Sequence, residues 1–127
     1  MILLDTSVLV DALTGPRRLA RGLRQAIEDG ERLVLSSIVL YEWLRGPRRP
    51  QELAAQEALF PREAAVPFGA AEAERAAELY RRIRRPRGRE IDIAIAASAL
   101  VHGAALWTLN PDDFRDMPDL TLYDTEG

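Results

Sequence analysis

The chain has 127 residues, 47% of them hydrophobic and 29% charged, with a formal net charge of -3. That is the size of one ordinary domain with a real core, and no global positive field draws such a chain to nucleic acid, so a polyanion would have to be held by a local patch or by metal ions. With no cysteine, no lysine and one histidine, His102, the chain excludes thiol catalysis, disulfides, Schiff-base and phosphate-loop lysines, and two-histidine metal or relay schemes.

Met1-Ile2-Leu3-Leu4 runs without alternation into Asp5-Thr6-Ser7. An unalternating apolar strand needs cover on both faces, which predicts a central strand of a parallel sheet. Asp5 then stands at its carboxyl end, where ligand crevices form in open α/β sheets. The competing reading is that Asp5 caps the following helix with Thr6 or Ser7. That helix is expected over about 7–13, broken by Gly15-Pro16. Leu19, Leu23 and Ile27 recur every fourth residue and predict a second helix, ending at Gly30. Residues 32–35 read as a second strand, and Ser36-Ser37 as the cap of a helix carrying Ile38, Val39, Tyr41, Glu42 and Trp43 up to Gly46-Pro47.

A helix is expected over 51–60, and a short strand over 64–68 that Pro67 confines to an edge. The clearest helix is 70–83, with Ala76, Leu79, Tyr80 and Ile83 on one face. Residues 90–101 form another, whose Ala94, Ala96, Ala97 and Ala99 permit close packing; Gly103 stops it. Then follow a strand over 104–108, a turn over 110–113 and a last short strand over 120–123. Strands separated by helices imply a parallel sheet covered by helices. The weakly charged stretch from Ile93 to Pro111 is about as long as a membrane span, but Ser98, His102, Gly103 and Asn110 mark it as core. The amino terminus carries no signal-peptide pattern, and a single domain over 1–127, working in the cytoplasm without a membrane, is the expectation.

Asp5, Glu42 and Asp92 interrupt apolar surroundings, and a fourth acid, Asp113 or Asp112, follows the strand that ends at Thr108. If that strand lies beside the first, Asp5 and the 110–113 turn open at the same sheet edge, and Asp92 adds a charge at a helix amino terminus. Two carboxylates roughly 5 Å apart at an effective dielectric near 20 repel by about 3 kcal/mol, tolerable only with protonation or bound cations. Oxygen-only ligands suit Mg²⁺ or Mn²⁺, ions that can activate water and stabilise charge on a phosphodiester. Each acid taken singly also reads as a cap or a half-exposed pair with arginine.

Four segments together resemble a known family. They are Asp5-Thr6-Ser7 after an apolar strand, Ser36-Ser37 followed by Glu42 and Gly46, the run from Asp92 to Ala99, and Thr108-Leu109-Asn110-Pro111-Asp112-Asp113-Phe114. In that order and spacing they resemble the PIN domain, specifically the VapC-type ribonuclease toxins of toxin–antitoxin pairs. The resemblance implies a three-layer α/β/α fold with a central, mostly parallel sheet, and an Mg²⁺- or Mn²⁺-dependent endoribonuclease. A VapB-type antitoxin partner and a homodimer are implied as well. By position the ligands would be Asp5, Glu42, Asp92 and Asp113, with Asn110 and Asp112 as alternatives for the fourth. Thr6, Ser7 and Thr108 match positions that support the acids.

Arg85, Arg87 and Arg89 belong to an arginine run approaching Asp92, which reads as a solvated helix face or as an RNA-phosphate contact. His102 is expected to be structural, and Trp43, Trp107, Tyr41 and Leu44 to be core, with one or two facing a partner. Two rivals stand beside the nuclease reading. One is a catalytically silent PIN-like module that binds a protein; the other is a phosphatase with an Asp5 nucleophile, disfavoured by Ser7 and the missing lysine.

Overall fold

The computed structural model describes residues 1–124; the last three residues of the expected 1–127 domain lie outside the described residues. Strand β1 (Ile2–Leu4) is buried along its whole length, as an unalternating apolar run requires. It is the middle strand of a parallel sheet, flanked by β2 (Leu33–Val34) and β3 (Ala105–Trp107) in the order β2-β1-β3. Leu3 pairs with Val34 on one side and with Leu106 on the other, so the β1 and β3 ends, with Asp5 and Thr108, open together.

Helices α1 (Thr6–Leu13), α2 (Ala20–Glu28), α3 (Ser37–Arg45) and α4 (Pro50–Leu59) follow β1 and β2. Ser36 caps α3 by accepting from Val39 N–H at 3.1 Å. Helices α5 (Ala70–Arg82) and α6 (Glu90–Val101) share the most extensive helix–helix packing among the described residues. The alanines of α6 allow it, because Ile93, Ile95, Ala96, Ala97 and Ala99 are all buried. Leu3, Leu4, Leu9, Leu79, Ile95 and Leu106 are fully enclosed, each stabilising the fold by roughly 1.5–3 kcal/mol relative to exposure. A charge at Ile95 would break this centre.

Two glycines bracket α6. Gly88, at φ +84°, turns the chain into α6. Gly103, at φ +62°, ends it: Gly103 N–H donates to Leu100 O and Ala104 N–H to Ala99 O, a Schellman closure that delivers the chain directly into β3.

Two expected strands are shorter than the sequence suggests. Residues 64–68 contribute one bridge, Val66 to Ser36, after a 3₁₀ helix over Arg62–Ala64. Pro67, next to the bridging Val66, withholds an N–H group that a longer ladder needs. Residues 120–123 likewise contribute one bridge, Leu122 to Leu106, following Asp119 at φ +69°. The 110–113 turn is wound into a 3₁₀ helix, Pro111–Asp113. Trp43 and Trp107 are core, whereas Tyr41 and Leu44 are exposed. No helix among the described residues is long and apolar enough to cross a membrane.

Candidate active site

Asp5 lies between β1 and α1 and is 6% exposed. Its carboxylate makes no capping bond to α1, against the simpler reading of the sequence. Instead Oδ2 accepts from Ser7 Oγ and from Thr108 Oγ1, each at 2.7 Å. Both hydroxyls are themselves held: Leu109 N–H donates to Ser7 Oγ and Asn110 N–H to Thr108 Oγ1, at 3.0 Å each. With a lone pair so occupied, each hydroxyl directs its proton to the acid. The backbone after β3 therefore orients a side chain at the end of β1. Oδ1 has no protein donor among the described residues.

Glu42 projects from α3 with a side chain 18% exposed. Thr6 Oγ1 donates to its Oε1 at 2.5 Å, and Arg45, one helical turn on, approaches Oε2 to 3.5 Å. Thr6 and Ser7, suited by type to capping α1, thus serve two acids.

Asp92 is half-buried in the first turn of α6, where the helix dipole favours an anion. Its carboxyl is nonetheless pushed up from 3.8 to about 6, first by loss of solvent and then by the charges of Asp5, Asp113 and Glu42, with Arg89 opposing. Burial and like charge outweigh the dipole. Asp113 is exposed on the 3₁₀ helix, and its charge reaches Asp92. Asp112 is exposed and pairs with Arg115, while Asn110 contributes its backbone N–H to Thr108. Among the described residues, no three acidic or histidine side chains stand close enough to enclose an ion in this arrangement. The acids share a field without forming a closed cage.

The model of the PIN domain matches residues 2–120. The chain belongs to the PIN domain family. A curated relative, ribonuclease VapC19 of Mycobacterium tuberculosis, is 38% identical over 122 residues, covering 94% of this chain and 97% of the relative. Among solved structures, a DNA-bound VapBC complex from Salmonella typhimurium superposes with a TM-score of 0.80 at 21% identity, covering 98% of this chain and 97% of the other. A toxin–antitoxin complex from Klebsiella pneumoniae has a TM-score of 0.72 at 27% identity, covering 98% and 99%.

A divalent cation fits this PIN-domain site by its chemistry. The donors are all oxygens, and the charges of Asp5, Asp113 and Glu42 add to the burial that raises the Asp92 carboxyl, a repulsion that a hard cation would relieve. Asp5 Oδ1, Glu42, Asp92 and Asp113 are the groups that would hold it.

The arginines divide. Arg85 and Arg87 are exposed, and no ion pair engages either among the described residues. Arg82 pairs with Glu78 and Asp119, in keeping with a solvated helix face. Arg89 is held by Asp116. Neither Asp116 nor Arg45 stands out in the sequence; the three-residue spacing of Arg45 from Glu42 on a helix is the one signal that points to either. His102 lies at the far end of α6, with Nε2 3.1 Å from Glu72 Oε2, and takes no part in the site.

A cavity of about 500 Å³ lies elsewhere, between α1, α2 and α4, with an apolar lining that includes Ala12, Leu13, Leu23, Ile27, Ala55 and Leu59. None of the four acids lines it, and the chemistry belongs with the acids, because an apolar groove offers no group able to act on a phosphodiester.

Proposed function

We propose that this PIN-domain chain is a divalent-metal-dependent endoribonuclease, the toxin member of a VapBC-type pair, with Mg²⁺ or Mn²⁺ held by Asp5, Glu42, Asp92 and Asp113. The observation that carries the reading is the hydroxyl grip on Asp5 at the carboxyl end of the central strand, where Ser7 and Thr108 hold Oδ2 and the charges of Asp5, Asp113 and Glu42 bear on the half-buried Asp92. Extensive similarity to a relative named as a ribonuclease supports the reaction class.

When bound, the cation supplies the Lewis acidity that activates water and stabilises the charge developing on the phosphodiester. The protein supplies orientation. Ser7 and Thr108 hold Asp5 by Oδ2 and leave Oδ1 for the cation, and Thr6 fixes Glu42. Arg85 and Arg87 receive the RNA backbone, since guanidinium groups bind phosphate through paired donors. The chain acts as a single domain in the cytoplasm, as a homodimer bound by a VapB-type antitoxin. The apolar groove between α1, α2 and α4, rimmed by Arg17, Arg24 and Glu28, suits an amphipathic partner helix.

The test is cleavage of total RNA with mapped ends, with and without EDTA, for the wild type and Asp92→Asn. Cuts that need the divalent ion and vanish in the variant are expected. Equal cleavage by Asp92→Asn in Mg²⁺ would overturn the assignment, and failure of the wild type to bind Mn²⁺ would leave a protein-binding module.

A further inference from the structure

We infer that Arg89 is a positioning residue that fixes the Asp113 turn against the first turn of α6, and not a contact for RNA phosphate. The inference rests on the metal-site reading above. Arg89 is the residue that enters α6, and its carbonyl accepts from Ile93 N–H at 2.9 Å, so the helix ties its backbone to that of Asp92. Its guanidinium reaches the segment that follows β3. Nη1 donates to Asp116 Oδ2 at 2.8 Å, Nη2 to Asp116 Oδ1 at 2.7 Å, and Nη2 also to the carbonyl oxygen of Asp113 at 2.8 Å. One residue thereby spans two of the acids, by its main chain on one side and its side chain on the other.

The turn is held from beneath as well. Phe114 is 2% exposed and Met117 is 3% exposed, and Asp113 N–H donates to Asn110 O at 3.0 Å. Phe114 and Met117 anchor the segment in the core, but Asp113 itself is exposed, and the Arg89 fork is what fastens its peptide from the solvent side. A phosphate seeking Arg89 would have to displace a two-point carboxylate partner. Arg85 and Arg87 present no such obstacle. The pairing also sets the Arg89 charge against Asp116, which limits its repulsion of a cation nearby.

Mn²⁺ titration of the intact protein by calorimetry, with fold checked by thermal melting, separates the alternatives. Arg89→Ala and Asp116→Asn each remove one member of the same pair but change the net charge in opposite directions: the first removes a positive charge, the second a negative one. Electrostatics alone therefore predicts tighter Mn²⁺ binding for Arg89→Ala and weaker binding for Asp116→Asn. Positioning predicts weaker binding for both, by about 10- to 100-fold, as for other residues that orient metal ligands. Arg89→Lys keeps the charge but loses the fork, so it too is expected to bind Mn²⁺ weakly, and the double variant is expected to be no worse than either single one.

Unchanged or tighter binding in folded Arg89→Ala would overturn the inference, as would full Mn²⁺ affinity in Arg89→Lys. Binding of a mixed-sequence RNA in EDTA gives the second readout: a phosphate contact requires Arg89→Ala to weaken it and Asp116→Asn to strengthen it, and that pair of results would also overturn the inference. Asp92→Asn is the control. If it leaves Mn²⁺ affinity intact, the metal-site reading fails; if it weakens binding while the Arg89 and Asp116 variants do not, only the positioning role fails.

Discussion

Asp92 and His102 stand about 15 Å apart along the axis of α6, and the two ends of that helix treat charge in opposite ways. At the carboxyl end, His102 lies against Glu72, which is 7% exposed. The backbone N–H groups of Glu72 itself and of Gly69 hold this carboxylate below its usual range, and His102 adds to the effect. At the amino end, Asp92 is pushed up by burial and by three other acids. On the proposed function, the difference separates a charge that holds α5 to α6 from charges that serve the chemistry. A buried acid surrounded by donors stabilises the fold; one surrounded by acids is retained in spite of the fold.

The sharpest way to break this contrast is to neutralise the crowded end. Asp5→Asn and Asp92→Asn are expected to lower RNA cleavage at least ~10³-fold, the loss of several kcal/mol of metal-assisted stabilisation, measured as single-turnover rates in Mg²⁺. Retained cleavage would place Asp92 in the same class as Glu72. Removing the hydroxyls that orient Asp5, by Ser7→Ala or Thr108→Val, is expected to lower the rate and the Mn²⁺ affinity by about 10- to 100-fold with the fold intact.

Stability supplies the next comparison, because the two ends answer pH in opposite senses. The folded Asp92 keeps its proton to about pH 6, whereas the unfolded side chain releases it near 3.8, so its contribution is present below 3.8 and lost as pH rises through 6. In EDTA, Asp92→Asn is therefore expected to melt above the wild type at pH 7.5 and near it at pH 4. The gain is no more than about 1–2 kcal/mol once solvent screening of a half-exposed group is allowed for. Added Mn²⁺ is expected to narrow the gap by stabilising the wild type alone. Glu72 behaves in reverse: its folded value is lowered, so its contribution is present above 4.5 and lost as pH falls. Glu72→Gln is expected to melt a few degrees below the wild type at pH 7 and to converge with it in acid. The smallest effect is on its cleavage rate per folded molecule, expected to be unchanged; a loss matching that of Asp92→Asn would erase the distinction between the ends.

Much of this arrangement is legible in the chain. The unalternated run before Asp5 identifies a strand covered on both faces, and the acids at Glu42 and Asp92 betray themselves by their apolar neighbours. Ladder length is not legible, because whether Val66 or Leu122 extends into a strand depends on which backbone donors prolines and turn geometry leave available. By residue type alone Thr6 and Ser7 look like caps; the family resemblance points them at the acids, and the meeting of β1 with β3 and α3 shows which acid each one holds. The Arg89–Asp116 pair is the least visible part. It joins residues 27 apart, each among many similar charges, and the fold alone makes them neighbours.

The double hydroxyl grip on Asp5 has a consequence for ion choice. With both lone-pair directions of Oδ2 taken by Ser7 and Thr108, Asp5 offers one oxygen and not a chelating pair. Calcium accommodates two-point carboxylates at longer range and in loose shells, whereas magnesium and manganese accept single oxygens in a tight octahedron. If Asp5 holds the cation as proposed, two small alcohols beside a strand would favour the smaller ions.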